Sequence, residues 1–214
     1  MVRDAPRDRR RVALTFDMEH PSRARHDPTA PTRILDALQT ARARATFFVQ
    51  GRWARAEPDA ARRVVTDGHV LGCHSHFHAP LVSLTDEGIR RDIESASTAL
   101  TDVTGSQSRP WFRCPFGAGH DDDRVLGLLA ECGYRNIHWT VEPQDWLDDS
   151  TVQRVNDSVV SGVAHQGDGA IVLLHTWPTV TADALPSMLD QLTARGHELV
   201  GIDALFDRPG RDED

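Results

Sequence analysis

Short, compact apolar runs recur along this chain between longer stretches whose apolar residues fall three and four positions apart. The runs read as strands and the stretches as amphipathic helices. Val12 to Phe16 is the first strand. Ile34, Leu35 and Leu38 make a helical stripe after Pro31. Ala45 to Val49, bounded by Arg44 and Gly51, is a second strand, apolar enough to be buried. Trp53 to Val65 is rich in Ala and Arg and reads as a helix, with Pro58 arguing for a break or a fresh start inside it. Val70, Leu71 and Gly72 follow Gly68 and lead directly into a cluster of histidines.

The alternation continues. Asp86 to Val103 reads as a long helix, with Thr85 at its N-cap and the acids Asp86 and Glu87 in its first turn. Trp111 to Arg113 is a short strand. Asp121 to Cys132 is a helix ended by Gly133, a residue suited to a left-handed cap. Tyr134 to Trp139 is the next strand. Thr151 to Gly162, Ala170 to Leu174 and Ala182 to Arg195 read helix, strand, helix, and Glu198 to Val200 closes the series.

Strand and helix in turn, with short connections, imply an α/β fold: a parallel sheet covered by helices. About seven such units suit a barrel, although an open doubly wound sheet satisfies the same pattern. In either case a site belongs at the C-terminal ends of the strands. Asp17, His74, Arg113 and His175 each lie at or just after such an end. No internal repeat is visible. The 214 residues read as one domain, 1–214, with its core from about residue 11 to about residue 206. The charged tail Asp207 to Asp214 is expected to fray.

Five short segments carry the candidate chemistry: Thr15-Phe16-Asp17-Met18-Glu19, His74-Ser75-His76-Phe77-His78, Arg113-Cys114-Pro115-Phe116-Gly117, Asp145-Trp146 and Leu173-Leu174-His175. Together they supply what a metal-assisted hydrolytic site needs: paired imidazoles, carboxylates, an arginine and a distant third histidine. His74 and His78 are four apart. In a helical turn that spacing puts both imidazoles on one face, about 5–6 Å apart at Cβ, close enough to share a metal. Zinc suits imidazole and keeps open positions when three protein ligands hold it. His76 points elsewhere on such a turn and is left out of the ligand set.

These segments, in this order, resemble the polysaccharide deacetylases of the NodB-homology type, carbohydrate esterase family four. That family carries Thr-Phe-Asp-Asp, His-Ser/Thr-x-x-His, Arg-x-Pro-Phe/Tyr, Asp-Trp and Leu-x-His motifs. Ala45 to Val49 also resembles its second strand, and the likeness spans roughly Arg11 to Phe206. The resemblance implies an irregular (β/α)7 barrel and an N-deacetylase or related amide hydrolase, in which metal-bound water attacks the acyl carbon. Asp17 is then the general base, oriented by charge-assisted hydrogen bonds from Arg113. His175 is the acid that protonates the leaving amine, and Asp145 fixes its tautomer and raises its pKa. Trp146 and Leu173 wall the site beside the acyl methyl. Pro115 leaves the Phe116 N–H free, and the resemblance implies that this N–H and the metal form the oxyanion hole.

The first motif departs from the family. Where relatives have a second, metal-binding aspartate, this chain has Met18, a poor ligand for a hard metal. Residues i and i+2 of extended chain face the same side, so Asp17 and Glu19 can both enter the site while Met18 turns into the wall. Glu19, His74 and His78 are therefore the expected ligands of one divalent ion, zinc foremost, with cobalt, nickel or manganese as alternatives. A shell of Asp17, His74 and His78 and a degraded, metal-free site are the competing readings.

Composition narrows the partners. The formal charge is −8, and every cationic side chain other than histidine is an arginine, which argues against a general nucleic-acid binder. No apolar run is long enough for a membrane span. Met1 to Arg11 is polar and basic, unlike a secretory signal. Cys73, Cys114 and Cys132 make no CxxC pair and are expected to be reduced thiols. A cytoplasmic enzyme follows, acting on an oligosaccharide or a small acylated metabolite. A tailoring hydrolase or cyclase on a non-carbohydrate metabolite, or a binding domain without turnover, would use the same fold. The loops His20 to Pro31, Gly119 to Asp123 and Trp177 to Asp183 decide the substrate, and the sequence leaves the oligomeric state open.

Overall fold

The structure is a computed structural model, and it describes residues 10–21 and 26–206. The expected fray at Asp207 to Asp214, most of the polar Met1 to Arg11 segment and part of the His20 to Pro31 loop lie outside the described residues. Strand β1, Arg11–Met18, is buried at every position after Arg11. A strand apolar on both faces belongs in the middle of a parallel sheet, and β1 has a neighbour on each edge. Strand β2, Thr46–Val49, pairs with its second half and β6, Ala170–His175, with its other edge. Beyond β2 follow β3, Val70–Cys73, then β4, Trp111–Phe112, and β5, Arg135–Asn136. Strand β7, Glu198–Leu199, pairs with the start of β1. Every pairing is parallel.

The sheet curls until its ends meet. The chain after β5 crosses the remaining gap, and Val141 forms an isolated parallel bridge with Val172 of β6. The Leu173 N–H donates to the Val141 carbonyl at 2.9 Å. The result is an irregular (β/α)7 barrel rather than an open doubly wound sheet. Gly162 marks the closure: a Cβ there would stand 2.6 Å from Val141 Cγ1.

Helices wrap the outside. They are α1, Ala30–Ala41; α2, Gly51–Ala56; α3, Pro58–Thr66; α4, Asp86–Thr104; α5, Asp123–Glu131; α6, Val152–Gln166; α7, Thr179–Ala194; and α8, Ile202–Phe206. Pro58 opens α3 after a non-helical Glu57, so the proline does divide that stretch. Thr85 caps α4 as expected, accepting from the Gly88 N–H at 3.1 Å. Helix α5 starts two residues later than its apolar pattern suggests, because the Asp122 carboxylate captures the Val125 N–H. Helix α6 runs past Gly162 to Gln166, and α7 begins at Thr179 rather than Ala182.

The two-residue period of the strands sorts the core. Leu14, Phe16, Met18, Phe47 and Val49 join the large cluster under the helices. Ala13, Phe48, Val70, Trp111 and Ile137 face inward and meet Ile202 of α8, which plugs the bottom of the barrel. Gly72 is required there, since its Cβ would lie 2.6 Å from the Phe48 ring. Continued upward, the inward parity runs from Ala13 to Asp17, from Val70 to His74, from Trp111 to Arg113 and from Ile171 to His175. An apolar base thus leads to a charged mouth at the C-terminal ends of the strands.

Candidate active site

Asp17, His74, Arg113 and His175 meet at that mouth, where the sequence places them. Arg113 is fully buried. Its Nη1 donates to Asp17 Oδ1 at 2.9 Å and its Nε to the Ile137 carbonyl at 3.2 Å, and its guanidinium lies over the Phe48 ring. Burial pushes the Arg113 pKa down, against the pull of Asp17. The backbone of Arg113 serves a second purpose: its carbonyl lies 2.9 Å from His74 Nδ1. A carbonyl can only accept, so Nδ1 carries a proton and Nε2 faces the cavity, where its lone pair can bind a metal when the ring is neutral.

His74 and His78 converge without a helical turn, which corrects the sequence-based expectation. Residues 74–80 are loop, and Ser75 and His78 both have left-handed φ values, 59° and 61°. Hydrogen bonds from within and around it pin this loop. Its His74 N–H donates to the Val49 carbonyl and its His78 N–H to Ser75 Oγ. The His76 and Phe77 amides donate to the two oxygens of Asp92, a buried carboxylate on α4. His76 itself faces Gly51, away from the cavity, as expected.

Glu19 completes the group, and Met18, with no exposed surface, packs into the core. Glu19 Oε1 accepts from Trp177 Nε1 at 3.3 Å. Its other oxygen lies against His78 Nε2 and 3.3 Å from His74 Nε2, and the two Nε2 atoms are 3.1 Å apart. Ligands of a tetrahedral ion with bonds of about 2.0–2.1 Å stand about 3.3 Å from one another. Glu19 Oε2 is buried and accepts no hydrogen bond among the described residues. An orphaned carboxylate oxygen facing two imidazole nitrogens fits a divalent cation in both spacing and donor chemistry. Asp17 stands outside this group: its Oδ1 is taken by Arg113, and Oδ2 is 3.5 Å from His74 Nε2. Burial works to raise the Glu19 pKa, yet the two imidazoles outweigh it and hold the carboxyl well below the usual range.

His175 ends β6, the strand beside β1, in register with Asp17. Asp145 grips it twice, with Oδ1 2.9 Å from Nδ1 and Oδ2 accepting the backbone N–H at 2.8 Å. Thr181 Oγ1 adds a third donor to Asp145 at 2.6 Å. Burial lowers the His175 pKa, but Asp145 first, then Glu19 and Asp17, raise it to about 9. With Nδ1 tied to Asp145, Nε2 faces the cavity. Phe116 has a left-handed φ of 58°, and its exposed ring packs at a tilt against His78, with 4.5 Å between centroids. The backbone bonds of its turn run from Gly117 N–H and Ala118 N–H, and neither uses the Phe116 N–H. The three cysteines form no disulfide, and burial pushes Cys73 and Cys114 up to about 12, which keeps these two as thiols at neutral pH.

Asp17, Glu19, His74, His78, Phe116 and His175 line one cavity of about 320 Å³, near the lower end of small-molecule sites. Trp146 and Leu173 form part of its wall, as expected. Trp139, Glu142 and Trp177 line it too; sequence reasoning named Trp177 only as the start of a substrate-deciding loop and missed the other two. Trp177 stands two residues after His175, so strand parity alone could have flagged it.

A curled parallel sheet with a carboxylate–imidazole donor group between an Arg-paired aspartate and an Asp-paired histidine defines a hydrolase of amide or ester bonds. The sequence model of the polysaccharide deacetylase family matches residues 4–137. The chain belongs to that family, among whose members are named deacetylases, hydrolases of C–N bonds other than peptide bonds. It is 35% identical over 173 residues to a chitooligosaccharide deacetylase of Rhizobium leguminosarum bv. trifolii, covering 80% of this chain and 74% of that one. It is 30% identical over 175 residues to the peptidoglycan N-acetylmuramic acid deacetylase of Bacillus subtilis, covering 81% and 65%. Among solved structures it resembles a family 4 pseudoenzyme from Bacillus anthracis, with a TM-score of 0.82 and 26% identity over 94% of this chain and 66% of that one. A family 4 carbohydrate esterase from Streptomyces lividans in complex with acetate gives a TM-score of 0.76 and 26% identity, covering 88% and 90%. No helix among the described residues is long and apolar enough to cross a membrane.

Proposed function

We propose that the chain is a metal-dependent N-deacetylase that removes the acyl group from an N-acetylated amino sugar, and that Glu19, His74 and His78 hold its divalent ion, zinc foremost. The observation that carries this reading is the orphaned Glu19 Oε2 facing both Nε2 atoms between the Asp17–Arg113 and His175–Asp145 pairs. The ion supplies Lewis-acid polarisation of the scissile carbonyl and of water.

The residues of the chain do the rest. Arg113 aims Asp17 into the cavity, and Asp17 takes the proton of the attacking water. The Phe116 N–H donates to the oxygen that gains charge as the carbonyl becomes tetrahedral. His175 carries its mobile proton on Nε2 and delivers it to the departing nitrogen, while Asp145 stabilises the imidazolium before transfer. Trp146 and Leu173 exclude water from the acyl methyl. The acyl group leaves as a carboxylate and the sugar as an amine.

Likeness to a pseudoenzyme favours one rival: a domain that binds a glycan without turnover. A binder has no use for an aimed base and an aimed acid lining the same cavity. Elemental analysis with an acetate-release assay on chitooligosaccharides, with and without chelator, tests the reading. The expected result is about one divalent ion per chain and release that chelation abolishes. A metal-loaded chain that releases no acetate from any N-acetyl sugar refutes it.

A further inference from the structure

Four carboxylates gather around the cavity, and three have cationic or imidazole partners. Asp17 faces Arg113, Glu19 faces two imidazoles, and Asp145 faces His175. Glu142 differs. Its Oε2 accepts from Trp139 Nε1 at 3.1 Å and its Oε1 from Trp146 Nε1 at 3.4 Å. Both donors are neutral indoles, and Glu142 makes no ion pair among the described residues. His138 stands nearby, but burial, with His120 and Arg113, pushes its pKa down, so it offers no charge at neutral pH. Glu142 is exposed, follows the anchored Val141 and lines the cavity together with both tryptophans. Among the described residues, no arginine lines that cavity.

We propose that Glu142 is the specificity-determining carboxylate of this cavity: it fixes the two tryptophan walls and turns away sugars that carry a carboxylate beside the N-acyl group. The favoured class is then a neutral or ammonium-bearing amino sugar. This rests on the deacetylase reading above for its site, and on the Glu142 contacts for its content. Bridging two indoles limits their rotation, so the slot keeps one width. The uncompensated charge repels an anionic substituent there by like-charge contact.

Two oligosaccharides that differ in one group test it: an N-acetylglucosamine oligomer, and its counterpart whose N-acetyl sugar bears a lactyl carboxylate. Metal-reconstituted wild type and Glu142→Gln are compared by amine release, giving kcat/KM. The same pair in an Asp17→Asn background is compared by tryptophan quenching, giving equilibrium binding. Wild type is expected to favour the neutral sugar at least about fivefold at low salt in both readouts. That ratio shrinks toward one in Glu142→Gln and with added salt, and Glu142→Asp, which keeps the charge, preserves it. An unchanged ratio in Glu142→Gln, a wild-type preference for the acidic sugar, or binding of neither sugar overturns the proposal. Amine release from neither sugar with the binding ratio intact supports Glu142 and counts against the deacetylase reading alone.

Discussion

The carbonyl of Arg113 holds His74 by its Nδ1 at 2.9 Å. The guanidinium of the same arginine holds Asp17, also at 2.9 Å. One residue therefore orients an imidazole through its backbone and a base through its side chain, and substitution separates the two.

Arg113→Lys keeps the carbonyl and loses the planar fork. Metal content should stay near that of wild type, while kcat/KM falls about a hundredfold because Asp17 is no longer aimed. Elemental analysis alongside initial rates checks this. Equal loss of metal and rate would show that the side chain supports the His74 position as well.

Glu19→Ala should strip the ion at matched free metal, since it removes the one anionic donor of the group. Trp177→Phe should weaken metal affinity about tenfold, because Glu19 loses the indole that fixes its rotamer. Competition with a chromogenic chelator measures both. Undiminished binding by Glu19→Ala removes Glu19 from the ligand set.

The pH profile follows from His175. Its folded pKa of about 9 lies above the ordinary 6.5. The protonated form persists through neutral pH and is lost as pH rises through about 9, so the alkaline limb of kcat belongs there. The same shift contributes stability that is present below about 6.5 and lost as pH passes about 9. Asp145→Asn removes the largest of the raising charges and leaves burial, which lowers the pKa. The limb should then move down by more than about one pH unit. A limb fixed in place in Asp145→Asn rules out His175 as the titrating acid.

Met18→Asp restores the family's first motif on paper. In this barrel the side chain at position 18 packs under the helices with no exposed surface, so the new carboxyl meets no cation. The variant should gain no metal affinity and lose about 3 kcal/mol of stability. That corresponds to a fall of about 10 °C in Tm for a chain of this size. Tighter metal binding at unchanged Tm would contradict the inward and outward parity of β1.

Much of this was legible in the sequence because strands and helices differ in apolar period, and because Pro58, Thr85 and Gly133 punctuate them. The convergence of Asp17, His74, Arg113 and His175 followed from their positions at strand ends. The path of the His74–His78 loop did not. Its left-handed Ser75 and His78 are non-glycine residues, and Asp92 on α4 holds the His76 and Phe77 amides between them, a contact across 16 positions at His76. No local pattern announces such a tether. Glu142 and Trp139 escaped notice because they follow β5 in a segment whose strand pairing covers only Arg135–Asn136, too little for parity to assign their faces.

The Val141–Val172 bridge gives that segment an unusual freedom. Thr140 and Val141 both donate to the Ile171 carbonyl and Leu173 donates to Val141, but no strand ladder among the described residues continues beyond Val141 to dictate the side chains that follow it. Asp145 in the same segment holds His175, whereas Trp139 and Glu142 can be exchanged without removing a strand-to-strand hydrogen bond. Descendants of this scaffold that acquire new sugars should therefore carry their changes here first, with the strand-end machinery left as it stands.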